Sequence, residues 1–275
     1  MGREWRSTSA TSPWSRSRDG DRVKVNVYGL NGKAKRKVEL PASFDEPLRM
    51  DLIHRSVTVA RANRRQPYGA STTAGMRHAV EQWGKGRGTA RIPRLKDQRR
   101  GAQAPLTVGG RRAHPPKTTK VWSKRMNRKE RRLARRSALA ATSRPDLVAA
   151  RGHRFSEKLT LPLVVVDDFE RITRVRDALE FFERVGVGDD LLRAKEGRHI
   201  RAGRGKMRSR RYRTPRSLLV ITTPGAPVQR AVRNFPGVDA VPVDRVSVED
   251  LAPGGDPGRL TILTESALKE VASWR

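Results

Sequence analysis

Asp167 and Asp168 follow directly on the apolar run 163–166, and carboxylates at the C-terminal end of a parallel strand can hold Mg²⁺ for phosphoryl transfer. A metal-dependent RNA-processing enzyme would use such a pair. The same residue type also ends strands by hydrogen-bonding its own backbone. Only Glu170 adds a further acid nearby, whereas a nuclease gathers carboxylates from several strands. The strand-ending role is therefore the expected one, and the metal site is the alternative. A second candidate is Gly84-Lys85-Gly86-Arg87-Gly88, whose glycines would let backbone amides approach phosphate. No strand precedes it and no apolar helix follows, so neither the dinucleotide fingerprint nor the phosphate-binding loop is supported. Glycines also let an arginine-rich backbone follow an irregular RNA surface. Trp83, Arg91 and Arg94 beside them offer planes that stack on unpaired bases.

Charge gives the broader signal. The chain has 275 residues, with 60 Lys and Arg against 28 Asp and Glu, for a formal net charge of +32. Self-repulsion on this scale serves no small-molecule enzyme, whereas a nucleic-acid partner rewards it through counterion release. The charge is also segregated: residues 61–130 carry 19 basic and 3 acidic residues, while 236–275 carry 4 basic and 7 acidic. Of the basic residues 46 are Arg and 14 are Lys, a bias toward the planar fork that grips phosphate bidentately. No helix-turn-helix, zinc-finger or basic-zipper pattern points to sequence-specific DNA reading. A free RNA chaperone or regulator is the remaining alternative of a different class.

Other classes fall away on composition. The absence of cysteine removes disulfides, thiolate metal sites and thiol nucleophiles. The five histidines are scattered, so a histidine metal site is not expected. No apolar stretch reaches the roughly 20 residues that a membrane-spanning helix needs. Residues 1–21 mix Ser, Thr and Arg without an apolar centre, which reads as a disordered basic tail and not as a secretory signal.

The elements that must position these groups lie where the basic excess is lowest. Val23, Val25 and Val27 alternate with polar residues at the period of a half-buried strand. The runs 163–166, 218–221, 238–243 and 260–263 read as further strands. Between them Thr173 is the expected cap of a helix with Val175, Ala178, Leu179, Phe182 and Val185 on one face, ending at Gly186. Thr264 is the expected cap of another, carrying Ala267, Leu268, Val271 and Trp274. Strand alternating with helix predicts an α/β fold: a central, mainly parallel sheet flanked by helices. A further helix is expected from about Asp45 to Arg65. After it no period survives from 66 to 121, so this stretch is expected as a long non-globular loop. Used as two legs of about 25 residues each, it would reach at most roughly 80 Å. A strongly basic helix covers 123–141 with only Glu130 to pair inside 124–136, and a second basic loop covers 193–216.

Several segments resemble one family, the universal large-subunit ribosomal protein four in its archaeal and eukaryotic form. RQPYGASTTAG (65–75) and EQWGKGRGTARIPR (81–94) resemble the start of its long extension, and GGRRAHPPK (109–117) its return. AGRGKMRSRR (202–211) resembles its second basic loop, and LAPGGDPGRLTILTESAL (251–268) its C-terminal strand and helix. The resemblance covers most of the chain from about residue 22. Asp256 and Pro257 depart from the usual Gly-rich turn.

The resemblance implies a globular α/β domain formed by 22–65 and 122–275, with 66–121 threaded through 23S rRNA. It implies a structural role in large-subunit assembly and in the wall of the nascent-peptide exit tunnel, in the cytoplasm. The implied partners are 23S rRNA, neighbouring proteins including large-subunit protein twenty-two, and the nascent polypeptide. Trp83, Lys85, Arg87, Thr89 and Arg91 would lie at the tunnel tip. Contacts to rRNA are implied for Arg64, Arg65, Arg77, Arg94, Arg99 and Arg100, then for Arg111, Arg112, His114 and Lys117 on the return. Lys124, Arg125, Arg128 and Arg132 would add to them near the basic helix, and Arg204, Lys206, Arg208, Arg210 and Arg211 from the second loop. The family implies no catalytic residue, no membrane and no cofactor, with Mg²⁺ entering only as part of rRNA structure.

Overall fold

The computed structural model describes residues 23–274; the expected basic tail, 1–21, lies outside them. In chain order the first elements are β1 (Lys24–Tyr28), β2 (Ala34–Glu39), α1 (Met50–Asn63), β3 (Val80–Glu81) and β4 (Arg94–Leu95). There follow α2 (Arg128–Ala141), α3 (Pro145–Ala150), β5 (Leu163–Val165), α4 (Val175–Val185) and α5 (Gly188–Glu196). The remainder comprises β6 (His199–Ile200), β7 (Tyr212–Arg213), β8 (Leu219–Thr222), α6 (Val228–Val232), β9 (Asp239–Pro242), α7 (Val248–Leu251), β10 (Thr261–Thr264) and α8 (Glu265–Ala272).

Six strands form one sheet in the order β2-β1-β5-β10-β8-β9. All neighbours are parallel except the edge pair β1 and β2. The α/β fold with a mainly parallel sheet is therefore as expected. Successive side chains alternate faces, which builds two cores. Val164, Leu219, Ile221 and Leu263 pack with α1, α2, α7 and α8 on one face. Leu163, Val165, Val220 and Ile262 pack with α3, α4 and α6 and the phenylalanines 169, 181 and 182 on the other.

Four local expectations differ in detail. The strand β2 was not expected, because AKRKVE is mostly charged and exposed; as an edge strand it needs only one buried face and its charges discourage further pairing. Helix α1 begins at Met50, not near Asp45, since a short 3₁₀ turn occupies Ala42–Phe44. The segment that follows runs into Pro47, which disfavours helix in the residue before it. Helix α2 begins at Arg128, not at 123. Helix α4 is entered through Arg174 with no side-chain cap, so Thr173 does not cap it. Its buried face is Ala178, Phe181, Phe182 and Val185, while Val175 and Leu179 are exposed. Thr264 does cap α8, accepting a hydrogen bond from Ala267 N, and Gly186 ends α4 at φ 89°.

By contacts the chain divides into two compact units, Val59–Arg125 and the remainder. The sheet and both cores belong to the second.

Candidate nucleic-acid interface

Within Val59–Arg125 the two expected legs run side by side. Asn63 Oδ1 accepts from Lys124 N at 2.8 Å, the Arg65 guanidinium lies 3.8 Å over the Trp122 ring, and Ala70 N donates to Pro116 O. Farther out, a side chain at Gly69 would put its Cβ 2.7 Å from Thr118 N, and one at Gly75 2.8 Å from Arg111 Cα. Each step outward on one leg is thus matched by a step back on the other. Two glycines let the backbones approach this closely, and Gly75 adds a φ of +76° that side chains disfavour. Almost all side chains here are exposed, including Arg64, Arg77, Arg112, His114, Lys117 and Lys124. Lys120 joins Arg65 on the Trp122 ring at 4.4 Å, a stack of aromatic and cations that the sequence signalled only as a Trp in a basic run.

Beyond the legs, β3 and β4 pair antiparallel, Val80 with Leu95 and Glu81 with Arg94. The loop 82–93 between them holds Trp83, Lys85, Arg87, Thr89 and Arg91 together at one end of this ribbon. All but Trp83 are exposed. Gly84, Gly86 and Gly88 have φ between 62° and 82°, and a Cβ on any of them would meet nothing within 4 Å. The glycines therefore serve chain direction and not packing. Arg87 and Arg94 both approach the Trp83 ring, each at 5.1 Å from its centroid. Arg94 turns inward, donating from Nη2 to Ala90 O at 3.2 Å and from Nη1 to Arg99 O. Arg100 likewise donates to Val108 O. Arg94 thus braces the loop and Arg100 the chain after β4, while Arg99, Arg91 and Lys85 are exposed.

A second basic projection rises from the α/β unit. Strands β6 and β7 form an antiparallel hairpin, with Ile200 opposite Tyr212. A 3₁₀ turn at Arg204–Met207 forms its tip. Arg204, Lys206, Arg208, Arg210 and Arg211 are all exposed on it. Arg198 and Arg211 stack on Tyr212 at 4.3 and 5.7 Å. The whole loop 193–216 was expected to be basic, yet its anchor had no sequence signal. Asp190, fully buried in α5, accepts from Arg193 Nε at 2.8 Å, Ser217 Oγ at 2.6 Å and Arg154 N at 3.1 Å, and faces His153 Nδ1. One carboxylate so binds the outgoing and returning ends of the hairpin. Burial opposes its charge, but the hydrogen bonds from His153, Arg193 and Ser217 hold it well below the usual carboxylate range.

Helix α2 sorts its residues by end. Its C-terminal half is buried through Ala134, Ser137, Ala138 and Leu139. Arg128, Lys129, Arg131 and Arg132 crowd the N-terminal half and are exposed, as is Arg125 before it. Cations here oppose the helix dipole, and Glu130 answers Arg55 at 3.2 Å rather than them. Burial, and then the charges of Arg132, Arg136 and Arg131, push the Arg135 guanidinium below its ordinary value. Such a surface is electrostatically relieved by a polyanion.

The carboxylate pair serves structure. Asp167 accepts from Ser266 N at 2.8 Å and Ser266 Oγ at 2.7 Å, closing the first turn of α8. Asp168 is exposed beside Arg171 at 3.8 Å. Glu170 accepts from Thr223 N at 2.9 Å and Thr264 Oγ1 at 2.6 Å, joining two strand ends. Among the described residues no group of three or more His, Asp or Glu is placed to hold a metal ion, and no helix is long and apolar enough to cross a membrane.

The chain thus combines an α/β unit that carries a basic hairpin with a unit of paired arginine-rich legs, the makeup of a protein suited to a polyanion. The chain belongs to the ribosomal protein L4/L1 family, whose model matches residues 38–274. Among its relatives, large ribosomal subunit protein uL4 of Haloquadratum walsbyi is 49% identical over 250 residues, covering 91% of this chain and 99% of the relative. The protein of the same name from Methanopyrus kandleri is 48% identical over 252 residues, covering 90% and 97%. That from Halorubrum lacusprofundi is 50% identical over 250 residues, covering 91% and 99%.

Proposed function

We propose that this protein is a structural constituent of the large ribosomal subunit in its archaeal form, acting in the cytoplasm by binding rRNA and neighbouring ribosomal proteins. The observation that carries the reading is the pairing of family membership over residues 38–274 with two separate, exposed, arginine-rich projections. Mechanistically, the α/β unit folds on its own core and serves as anchor. The basic hairpin and the N-terminal half of α2 neutralise phosphates of 23S rRNA, and released counterions drive assembly. The legs 66–121 order against rRNA, because they bury too little apolar surface to order themselves.

The tip residues Trp83, Lys85, Arg87, Thr89 and Arg91 line part of the nascent-peptide exit tunnel beside large-subunit protein twenty-two, within reach of the nascent polypeptide. No cofactor or catalytic residue enters this reading, and Mg²⁺ belongs to the rRNA. The carboxylates of Asp167 and Glu170 are already committed to hydrogen bonds within the fold, which disfavours the metal-dependent enzyme. Fractionation of lysate on a sucrose gradient in high salt, with mass spectrometry across the fractions, tests the proposal. Stoichiometric retention with the large subunit is expected. Release into the light fractions would overturn it in favour of a free RNA chaperone or regulator.

A further inference from the structure

Leu179 and Leu192 are 38% and 54% exposed, although Leu179 sits at a position whose spacing belongs to the core stripe of α4. With Leu191 and Phe235 they line an open groove of about 560 Å³ between α4, α5 and the turn before β9. Two carboxylates, Glu183 and Asp189, stand at its rim, against the lone cation Lys195. Neither carboxylate takes part in a side-chain hydrogen bond or ion pair among the described residues. Their neighbour Glu180, by contrast, is bound by Arg176 and Arg184 at 3.1 Å each.

In a chain of net charge +32 this is a patch of reversed character. Free carboxylates repel phosphate, leucines offer a nucleic acid neither a stacking plane nor a hydrogen bond, and the one aromatic, Phe235, is half-buried and packed edge-on with Phe182. An apolar floor with an acidic rim instead suits a polypeptide that brings an aliphatic or aromatic anchor flanked by Lys or Arg. We infer that this groove docks a short basic segment of a neighbouring large-subunit protein, an inference that rests on the ribosomal reading above. The leucines supply the affinity by leaving water, and Glu183 and Asp189 select the cationic flank.

The test uses the full chain in cells, with a photoreactive benzophenone amino acid at position 192 and, separately, at position 208 in the basic hairpin. Large subunits are isolated, irradiated and analysed by mass spectrometry. A chain absent from the large-subunit fractions overturns the ribosomal reading, and the groove inference with it. In a chain that is retained, position 192 is expected to cross-link to a Lys- or Arg-rich stretch of one other large-subunit protein, while position 208 marks rRNA. Adding Leu179→Asp with Glu183→Lys should lower the protein cross-link about tenfold and leave the product at position 208 unchanged. Cross-linking of position 192 to rRNA, to this chain itself, to a second copy or to an acidic segment would overturn the inference. So would the lack of any protein product.

Discussion

Ser217 donates its hydroxyl proton to Asp190 Oδ2 at 2.6 Å, and through that bond the returning leg of the basic hairpin is tied to the first turn of α5. Both residues are fully buried. The exposed cations of the hairpin thus depend on a buried anion for their position. Arg193 completes the clasp, donating from Nη2 to Arg216 O at 2.9 Å while its Nε holds Asp190.

Replacing that anion should cost stability. Asp190→Ala leaves the buried donors of Ser217, Arg154 and Arg193 without an acceptor, and breaking a buried pair on one side costs about 3–5 kcal/mol. Urea unfolding of the variant should show the loss. A change below about 0.5 kcal/mol would mean that solvent or the backbone replaces the carboxylate.

Acid should weaken the same cluster in two stages. Burial, opposed by Asp190 but aided by the charges of Arg193 and Arg151, lowers the His153 pKa from its ordinary 6.5. An unfolded chain then takes up the proton more readily than the folded one, so stability is complete above about pH 6.5 and falls as pH drops below it. Asp190, also depressed, adds a second loss only below its ordinary 3.8. Urea midpoints measured from pH 7.5 to 5 should fall in the wild type. They should stay flatter in His153→Asn, which keeps a donor near Asp190.

Arg259 provides a second buried charge to test. It is fully buried and donates to Ser217 O, Leu218 O, Gly237 O, Asp250 O and Asp239 Oδ2, the last at 2.6 Å. Lysine lacks the planar fork that reaches these acceptors together. Arg259→Lys should destabilise by about 2–4 kcal/mol, read by thermal unfolding. A variant as stable as wild type would contradict the bracing role.

Removing exposed cations should change salt dependence instead. The triple variant Arg204→Ala, Lys206→Ala, Arg208→Ala touches only exposed side chains, so folding should be unaffected. Each lost phosphate contact lowers the slope of log affinity against log salt by about 0.7–0.9. A KCl titration with an rRNA fragment should show a slope shallower by about 2–3 in total. An unchanged slope would remove the hairpin tip from the interface.

The two legs should be protease-sensitive until RNA is bound. Among the described residues 66–121, Ala102 is the one buried apolar side chain, too little to offset the entropy of ordering such a segment. Trypsin should cut within 66–121 and at the exposed hairpin tip 204–211 of the free protein, leave the sheet and its two cores intact, and cut neither segment in the assembled subunit. Protection of 66–121 in the free protein would show that its backbone pairing suffices.

The sequence by itself determined the features that depend on local composition. Apolar runs bounded by turn residues marked β5, β8 and β10, which are buried throughout as parallel strands covered on both faces must be, and also the half-buried edge strand β9. Thr264 and Gly186 marked helix ends through local backbone bonding. Segregated arginines marked the exposed basic segments, since a guanidinium enters a core only where several acceptors surround it.

Only the tertiary structure decided what depends on partners distant in the chain. β2 is a strand because β1 lies beside it, not because AKRKVE favours one. Asp190 and Arg259 are buried because, beside nearer partners, residues 20 to 42 positions away supply most of their hydrogen bonds, and a charged side chain has no local mark that distinguishes clasp from surface. Leu179 keeps the spacing of a core residue yet faces an open groove, because which side of a helix the sheet covers is set by packing. Asp167, which by sequence suited either metal or turn, spends both carboxylate oxygens on Ser266, 99 residues away, a partner that exists only once β10 has been inserted beside β5.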